Sequence, residues 1–161
     1  MNFINMARNK LILFDIDHTL FDTEKFKASK LTDYSLYDEV LEILEKLSKI
    51  AELGIFSKGD FEFQKAKLKN TKIEDFFKGK NVHIFQDKIL NIKALNQYKN
   101  YKIFFVDDRL EVLRDVKKFL PSIIVIWIKR GPHAERLKKI EGFNPDKTIA
   151  NLSQIVSDTC F

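Results

Sequence analysis

Residues 11–23 read LILFDIDHTLFDT, an apolar run that leads into two acids. Four successive apolar residues with no polar residue between them are typical of a strand that is buried on both faces. The strand ends on Asp15, and Asp17 follows after one residue. Two carboxylates this close repel each other, so the end of the strand needs a compensating positive charge. We expect a bound metal cation to supply that charge.

The rest of the chain repeats the pattern of a buried strand followed by a helix. Four further apolar runs lie at residues 54–57, 82–85, 102–106 and 122–128. Amphipathic segments lie between them at residues 37–53, 60–69, 88–98 and 110–119, the first opened by Ser35 and closed by Gly54. This alternation predicts a doubly wound, Rossmann-like α/β sandwich of three layers around a mainly parallel, five-stranded sheet. In such a fold, ligands bind beyond the carboxyl ends of the strands, near the switch point.

Length and composition predict one domain over residues 1–161. A chain of 161 residues with 45% apolar content builds a single core. One cysteine, Cys160, excludes an internal disulfide, and we expect a reducing, cytoplasmic setting. No apolar run approaches the roughly 18 residues of a membrane span. The formal charge of +5 is spread along the chain, which mildly favours anionic ligands but does not indicate a nucleic-acid patch.

Polar residues follow the ends of four predicted strands. They are Asp15 and Asp17, Ser57 and Lys58, Lys88, and Asp107 with Asp108. Because parallel strands end at the same edge of a sheet, these residues should converge on one pocket. Four carboxylates around one point need neutralisation, and an all-oxygen site suits Mg²⁺ better than Ca²⁺. A magnesium ion with a lysine and a hydroxyl is typical of a phosphate site.

The paired acids also predict a reaction. One carboxylate could attack phosphorus, and the second, two residues along, could transfer a proton, so the site could form and hydrolyse a phosphoaspartate. The sequence has no Gly-rich phosphate loop, which argues against a nucleoside-triphosphatase of the Walker type.

Four motifs resemble those of the haloacid dehalogenase (HAD) superfamily. The segment "FDIDHT" resembles its first motif, D-x-D-x-T; "FSKGD" its second; the lysine of "FQDK" its third; and "VDD" its fourth. They span residues 15–108 in the family's order. The resemblance implies a HAD-like fold and the phosphatase-like branch of the family, with Mg²⁺ as the cofactor.

The resemblance implies a role for each acid and for the motif lysine. Asp15 would be the nucleophile and a magnesium ligand, and Asp17 the general acid and base, with its backbone carbonyl also on the metal. Lys88 would neutralise the transferring phosphoryl group and orient Asp15. Asp108 would bind magnesium directly, with Asp107 close by. Many relatives have Gly where this chain has Val106, which leaves open which of the two makes the closer contact.

The remaining matches concern the substrate. Thr19 would position the loop around Asp17, and Ser57 would hydrogen-bond the phosphoryl group. Lys58 and Arg109 are candidates for binding the phosphate or a polyanionic substrate, although solvation is the default for such side chains.

The second acid discriminates between activities within the family. Family dehalogenases lack an Asp at the position of Asp17 and ion-pumping ATPases carry Thr there, whereas phosphatases and phosphomutases keep Asp. The resemblance therefore implies a magnesium-dependent phosphatase that hydrolyses phosphate monoesters. The alternative is a regulatory module that recognises phosphate on the same scaffold without turnover. A phosphorelay receiver is disfavoured because the third strand, VHIF, ends without an acid.

Most relatives that act on small metabolites carry a cap domain, for which this chain has little room. Only residues 20–36 separate the first motif from the next helix, which predicts a short loop or hairpin there and an open site. The phosphorylated substrate could then be a phosphoprotein or a nucleic-acid end, and a small metabolite stays open. A phosphomutase is disfavoured, because it must shield its phosphoenzyme from water.

Two histidines and the tail complete the predictions. Strand alternation should turn His18 away from the acids, which favours a structural role. His133 begins a predicted helix near the same sheet edge and is a candidate substrate contact. The tail, residues 151–161, has an apolar face and should dock as a last helix, or else form an interface.

Overall fold

The computed structural model describes residues 9–156, and they form one parallel sheet with helices on both faces. The six strands are β1 (Lys10–Phe14), β2 (Glu52–Lys58), β3 (Val82–Phe85), β4 (Lys102–Asp107), β5 (Ile124–Ile128) and β6 (Lys147–Ile149). Their spatial order is β3-β2-β1-β4-β5-β6, and every neighbouring pair is parallel. The predicted doubly wound α/β fold is confirmed, but the strand count of five was wrong. The missed strand β6 is only three residues long, too short for a recognisable apolar run.

The order of the strands reverses at β1. This strand pairs with β2 on one side and β4 on the other, so that Phe14 lies opposite both Ile55 and Val106. The backbone N–H of Asp15 continues this pairing by donating to the Val106 carbonyl at 3.0 Å. The residues that follow β1 and β4 therefore lie side by side at the switch point, where doubly wound folds bind their ligands.

The helices are α1 (Thr23–Ala28), α2 (Val40–Leu47), α3 (Phe61–Asn70), α4 (Leu110–Phe119), α5 (Gly131–Arg136) and α6 (Ser153–Val156). Helix α4 has the predicted bounds, whereas α2 is much shorter than residues 37–53. It begins after Glu39 rather than at Ser35, and Gly54 lies inside β2 instead of closing the helix. The reason is the pairing of Glu52 and Leu53 with β1, which takes these residues into the sheet.

One other predicted helix differs from the structure in type and extent. Within residues 88–98, only Ile92–Tyr98 is helical, and it is a 3₁₀ helix; two further 3₁₀ turns lie at Glu74–Phe76 and Gly79–Asn81. The predicted last helix is present as α6, while residues 157–161, including Cys160, lie outside the described residues.

The sheet separates two apolar clusters, one on each face. In β1, Ile12 and Phe14 pack into one cluster, whereas Leu11 and Leu13 pack into the other. All four side chains are fully buried. Each contributes about 1.5–3 kcal/mol relative to an exposed position, which explains why the strand is apolar throughout instead of alternating.

Residues 20–36, which were predicted to form a short loop or hairpin, contain α1. Phe21 and Leu36 form an isolated antiparallel bridge that brings the two ends of the segment together. Phe21 and Phe26 are buried in the same cluster as Phe14, so the segment is anchored to the sheet. None of the helices in the described part of the chain is both long and apolar enough to cross a lipid bilayer.

Candidate active site

Three carboxylates meet at the carboxyl ends of β1 and β4. Asp15 follows β1, Asp107 ends β4 and Asp108 follows it. One carboxylate oxygen from each lies within 4.8 Å of the others, and all three side chains are buried. The structure thus brings together the three acids that the sequence predicted as metal ligands through their side chains.

Lys88 lies between two of these acids. Its Nζ donates to Oδ1 of Asp15 at 2.7 Å and to Oδ2 of Asp107 at 2.5 Å. Burial alone would lower the pKa of Lys88, but the carboxylates of Asp107 and Asp15 outweigh burial and hold the pKa above its ordinary value. Lys88 is therefore a buried ammonium ion that fixes the orientation of Asp15.

One lysine does not neutralise the whole cluster. Burial raises the pKa of Asp15 to about 6, and Asp107 adds to the effect while Lys88 opposes it. Burial also raises the pKa of Asp108 to about 9, reinforced by repulsion from Asp107 and Asp15. Both shifts show that this part of the protein lacks positive charge when only protein groups are present.

Asp108 contributes a buried oxygen that has no hydrogen-bond partner within residues 9–156. Both oxygens of Asp107 are engaged, Oδ2 by Lys88 and Oδ1 by the backbone N–H of Arg109 at 2.8 Å. Oδ2 of Asp108 is buried and has no hydrogen-bond partner among the described residues. The donor set is all oxygen, so the residues fit a hard divalent cation such as Mg²⁺. Because both oxygens of Asp107 already accept hydrogen bonds, Asp108 is better placed than Asp107 to contact such a cation directly.

Asp17 lines the same cavity as Asp15 but belongs to a different network. Its Oδ1 accepts from Lys67 Nζ at 2.6 Å and from the Thr23 hydroxyl at 2.8 Å, and its Oδ2 accepts from Gln64 Nε2 at 2.9 Å. Burial would raise the pKa of Asp17, but the charge and hydrogen bond of Lys67 outweigh burial, and the pKa is lowered. Asp17 is thus held in one orientation as a carboxylate.

Sequence reasoning missed Gln64 and Lys67. The two residues are three apart on α3, so they share a face of the helix that begins just after the second motif. Both are buried, which is unusual for these residue types. Their spacing on a weakly apolar helix was the only available signal, and it does not reveal Asp17 as the partner.

The predicted hydroxyls occupy different positions. Ser57 is buried at the end of β2, where its Oγ accepts from Gln64 Nε2 at 3.2 Å. Thr19 is buried in the turn after Asp17, its N–H donating to the Ile16 carbonyl at 3.3 Å. The hydroxyl of Thr19 has no partner among the described residues and does not line the cavity.

A cavity of about 550 Å³ opens beside the acids, and Lys58 and Arg109 lie on its wall. Lys58 is exposed. The guanidinium of Arg109 donates to Glu111 Oε1 from Nε at 2.9 Å and from Nη2 at 2.7 Å. An anion in the cavity could contact both side chains, but Arg109 would first have to break its ion pair with Glu111.

His18 adopts a backbone conformation that strand alternation does not describe. Its φ is +58°, so the chain turns there, and the buried imidazole contributes to the cavity wall. The ring packs against Gly131, where an added Cβ would lie 2.6 Å from it. His133 lies 6.0 Å away between ring centroids and also lines the cavity. The contact with Gly131 favours a packing role for His18.

Comparison with solved structures identifies the fold. A haloacid dehalogenase-like hydrolase from Burkholderia xenovorans superposes with a TM-score of 0.80 at 20% identity, covering 92% of this chain and 95% of that chain. L-2-haloacid dehalogenase from Xanthobacter autotrophicus gives a TM-score of 0.65 at 14% identity, with 91% and 96% coverage. A predicted phosphoglycolate phosphatase from Haemophilus somnus gives a TM-score of 0.66 at 15% identity, with the same coverage.

No protein-family model and no curated protein sequence matches the chain. The structural likeness extends over nine-tenths of both chains in each comparison, and the acids lie at the switch point of the shared sheet. The chain has the fold of the haloacid dehalogenase-like hydrolases.

Proposed function

We propose that this protein is a magnesium-dependent phosphatase that hydrolyses phosphate monoesters through a phosphoaspartate on Asp15. The observation that carries the proposal is the position of Asp17, which lines the same cavity as Asp15. The fold alone does not discriminate, because a dehalogenase and a predicted phosphoglycolate phosphatase share it. The second acid is the feature that the resemblance associates with phosphate esters.

In the first step, a carboxylate oxygen of Asp15 attacks phosphorus and the bond from phosphorus to the leaving oxygen breaks. Lys88 holds Oδ1 of Asp15, so Oδ2, which has no partner among the described residues, is the attacking atom. Asp17 begins ionised because its pKa is lowered. The proton that Asp17 passes to the leaving oxygen therefore comes from the substrate monoanion, since phosphate monoesters have a second pKa of about 6.

In the second step, water attacks the phosphoaspartate. Asp17 accepts a proton from this water, the new oxygen–phosphorus bond forms, and the bond to Asp15 breaks, which releases inorganic phosphate. Asp17 then passes the proton to the departing phosphate or to solvent and is ionised again for the next turnover. Lys88 and the Ser57 hydroxyl would hydrogen-bond the phosphoryl oxygens in both steps. A Mg²⁺ ion held by Asp15, Asp108 and the Asp17 backbone carbonyl would neutralise the charge of the phosphoryl group.

One observation favours a second function, recognition of phosphate without turnover. The three hydrogen bonds to the Asp17 carboxylate, one of them from the buried ammonium of Lys67, restrict its movement. A general acid that cannot reach the leaving oxygen would leave a site that binds phosphate and does not cleave the ester. A regulatory module with a phosphorylated partner would then be the better description.

Hydrolysis of a panel of esters distinguishes the two functions. The panel contains a chromogenic aryl phosphate, sugar phosphates, nucleotides, phosphopeptides and phosphate-ended oligonucleotides, each assayed with Mg²⁺ and with chelator. The phosphatase requires that activity depend on Mg²⁺ and disappear in Asp15→Asn. Binding of inorganic phosphate in the presence of Mg²⁺, without hydrolysis of any ester, would support the recognition module.

A further inference from the structure

One wall of the cavity is apolar. Phe26, Leu31 and Phe63 form it, and we call these three residues the apolar wall. Phe26 is buried, and its ring centroid lies 6.0 Å from that of Phe63. Leu31 is 53% exposed and Phe63 is 43% exposed. Among the exposed large hydrophobic side chains of the described residues, these two are the ones that line the cavity.

The backbone places Leu31 at the cavity at a conformational cost. Helix α1 ends in a Schellman arrangement, in which Lys30 N–H donates to Lys27 O at 3.0 Å and Leu31 N–H donates to Phe26 O at 2.9 Å. Lys30 and Leu31 have φ values of +58° and +66°, in the left-handed region where residues other than glycine are disfavoured. Two strained residues in succession hold an apolar side chain in water, which points to a role for that side chain.

Phe63 lies next to the proposed general acid. The Nζ of Lys67 is 2.6 Å from Oδ1 of Asp17 and 4.8 Å from the centroid of the Phe63 ring. The ring therefore lies near the carboxylate that would pass a proton to the leaving oxygen in the proposed reaction. That oxygen belongs to the leaving group, so the group attached to it would lie against the apolar wall.

The cavity has room for a small ligand. Its volume of about 550 Å³ falls within the range of roughly 300–1,000 Å³ that is typical of small-molecule sites. Lys58 and Arg109 on the wall are placed to meet the phosphate, while the apolar wall has no charge to offer. A small ester with one anionic end and one apolar end would match both features.

We propose that the substrate is a small phosphate monoester whose leaving group carries an aromatic or branched aliphatic moiety, and that Phe63 and Leu31 bind this moiety. The proposal rests on the proposed function for the position of the leaving oxygen. It assigns the specificity of the site to α3 and to the end of α1 instead of to a macromolecular surface.

The test compares 2-phenylethyl phosphate with ethyl phosphate, which differ only by a phenyl ring and have similar alkyl leaving groups. With Mg²⁺ present, the wild type should show a kcat/KM at least about tenfold higher for the phenyl ester, since burying a ring contributes more than a tenfold preference. Phe63→Ala should reduce this ratio to below about threefold, chiefly through a higher KM for the phenyl ester. Leu31→Ala should reduce the ratio in the same direction.

Phe61→Ala is the matched control. Phe61 is on the same helix and is 49% exposed, but it does not line the cavity. The ratio should stay at the wild-type value in this variant. No preference in the wild type, or an equal loss in Phe61→Ala and Phe63→Ala, would overturn the proposal.

A binding measurement separates this proposal from the proposed function. If neither ester is hydrolysed, calorimetric titration with 2-phenylethylphosphonate and ethylphosphonate, with Mg²⁺ present, reports recognition alone. A preference of about tenfold for the phenyl ligand that Phe63→Ala removes would support the apolar wall while the phosphatase fails. Equal affinities, or no binding of either ligand, would overturn the apolar wall as a specificity site.

Discussion

The buried acids predict that the metal-free protein loses stability as the pH rises. Asp15 and Asp108 have folded pKa values of about 6 and about 9, against 3.8 as the ordinary value for Asp. Between the ordinary value and the raised values, these two carboxyl groups bind more protons in the folded protein than in the unfolded chain. Their contribution to the free energy of unfolding must therefore fall with increasing pH over this window.

The size of the effect follows from Asp108. Above about pH 6.5 Asp15 is mostly ionised in both states, and Asp108 alone keeps an extra proton, which corresponds to about 1.4 kcal/mol per pH unit. The lowered pKa values of the three histidines act in the opposite direction but contribute less, because only part of the imidazole population in the unfolded chain is protonated at pH 6.5. From about pH 6.5 to about pH 8.5 the loss that comes from Asp108 is about 3 kcal/mol. For a chain of this size it corresponds to a fall in Tm of roughly 6–12 °C.

The assay is urea unfolding in chelator at both pH values, with Asp108→Asn as the control. The carboxamide does not ionise, so the variant should lose little stability over the same range and should exceed the wild type at the higher pH. Added Mg²⁺ should stabilise the wild type more at the higher pH, because cation binding releases the proton of Asp108. If the stability of the metal-free wild type stays constant or rises between these pH values, Asp108 does not keep an extra proton in the folded protein.

Three substitutions test other contacts. Lys88→Met should abolish hydrolysis and lower the free energy of unfolding at neutral pH by about 3–5 kcal/mol, because it leaves two buried carboxylates unpaired; retained activity in this variant would contradict the proposed role. Lys67→Met should lower kcat more than it raises KM, with partial recovery in Lys67→Arg, since the ammonium orients the acid/base carboxylate; equal kcat values in all three proteins would argue against positioning. Gly131→Ala should lower the free energy of unfolding by about 2–4 kcal/mol in urea, because the added Cβ would lie 2.6 Å from the His18 ring. Gly142→Ala is the control, since Gly142 has a similar φ of +73° and an added Cβ there would have nothing within 4 Å. This variant should lose only about 1–2 kcal/mol. Similar costs at the two glycines would show that the packing against His18 is not tight.

The parts of the site that follow a strand could be predicted from the sequence. Asp15 and Asp107 lie at or after the end of a buried apolar strand and Lys88 follows the partly buried strand β3, and parallel strands bring such positions to one edge. Their convergence needs only the strand order and no knowledge of side-chain packing. Continuous apolar runs predicted β1 and β4 correctly, because both strands are buried on both faces of the sheet.

The contacts made by helices could not be predicted in this way. Lys67 meets Asp17 from 50 residues away, and the contact depends on how α3 packs over the end of β1. The bounds of α2 failed because Glu52 and Leu53, which fit a helical pattern, gain more from pairing with β1. The direction of the His18 side chain could not be predicted from strand alternation, because the chain leaves the extended conformation immediately after Asp17.

The proposed phosphatase mechanism requires that Asp15 become phosphorylated during turnover. The most direct measurement mixes the enzyme with an aryl phosphate and Mg²⁺, quenches with acid within one turnover, and determines the mass of the tryptic peptide 11–25. We predict a peptide that carries one phosphoryl group, located on Asp15, and absent from Asp15→Asn and from enzyme quenched after substrate is exhausted. The wild type could instead hydrolyse the ester at the normal rate while no phosphorylated peptide appears at any quench time, either in the wild type or in Asp17→Asn. That result would rule out a phosphoaspartate on Asp15.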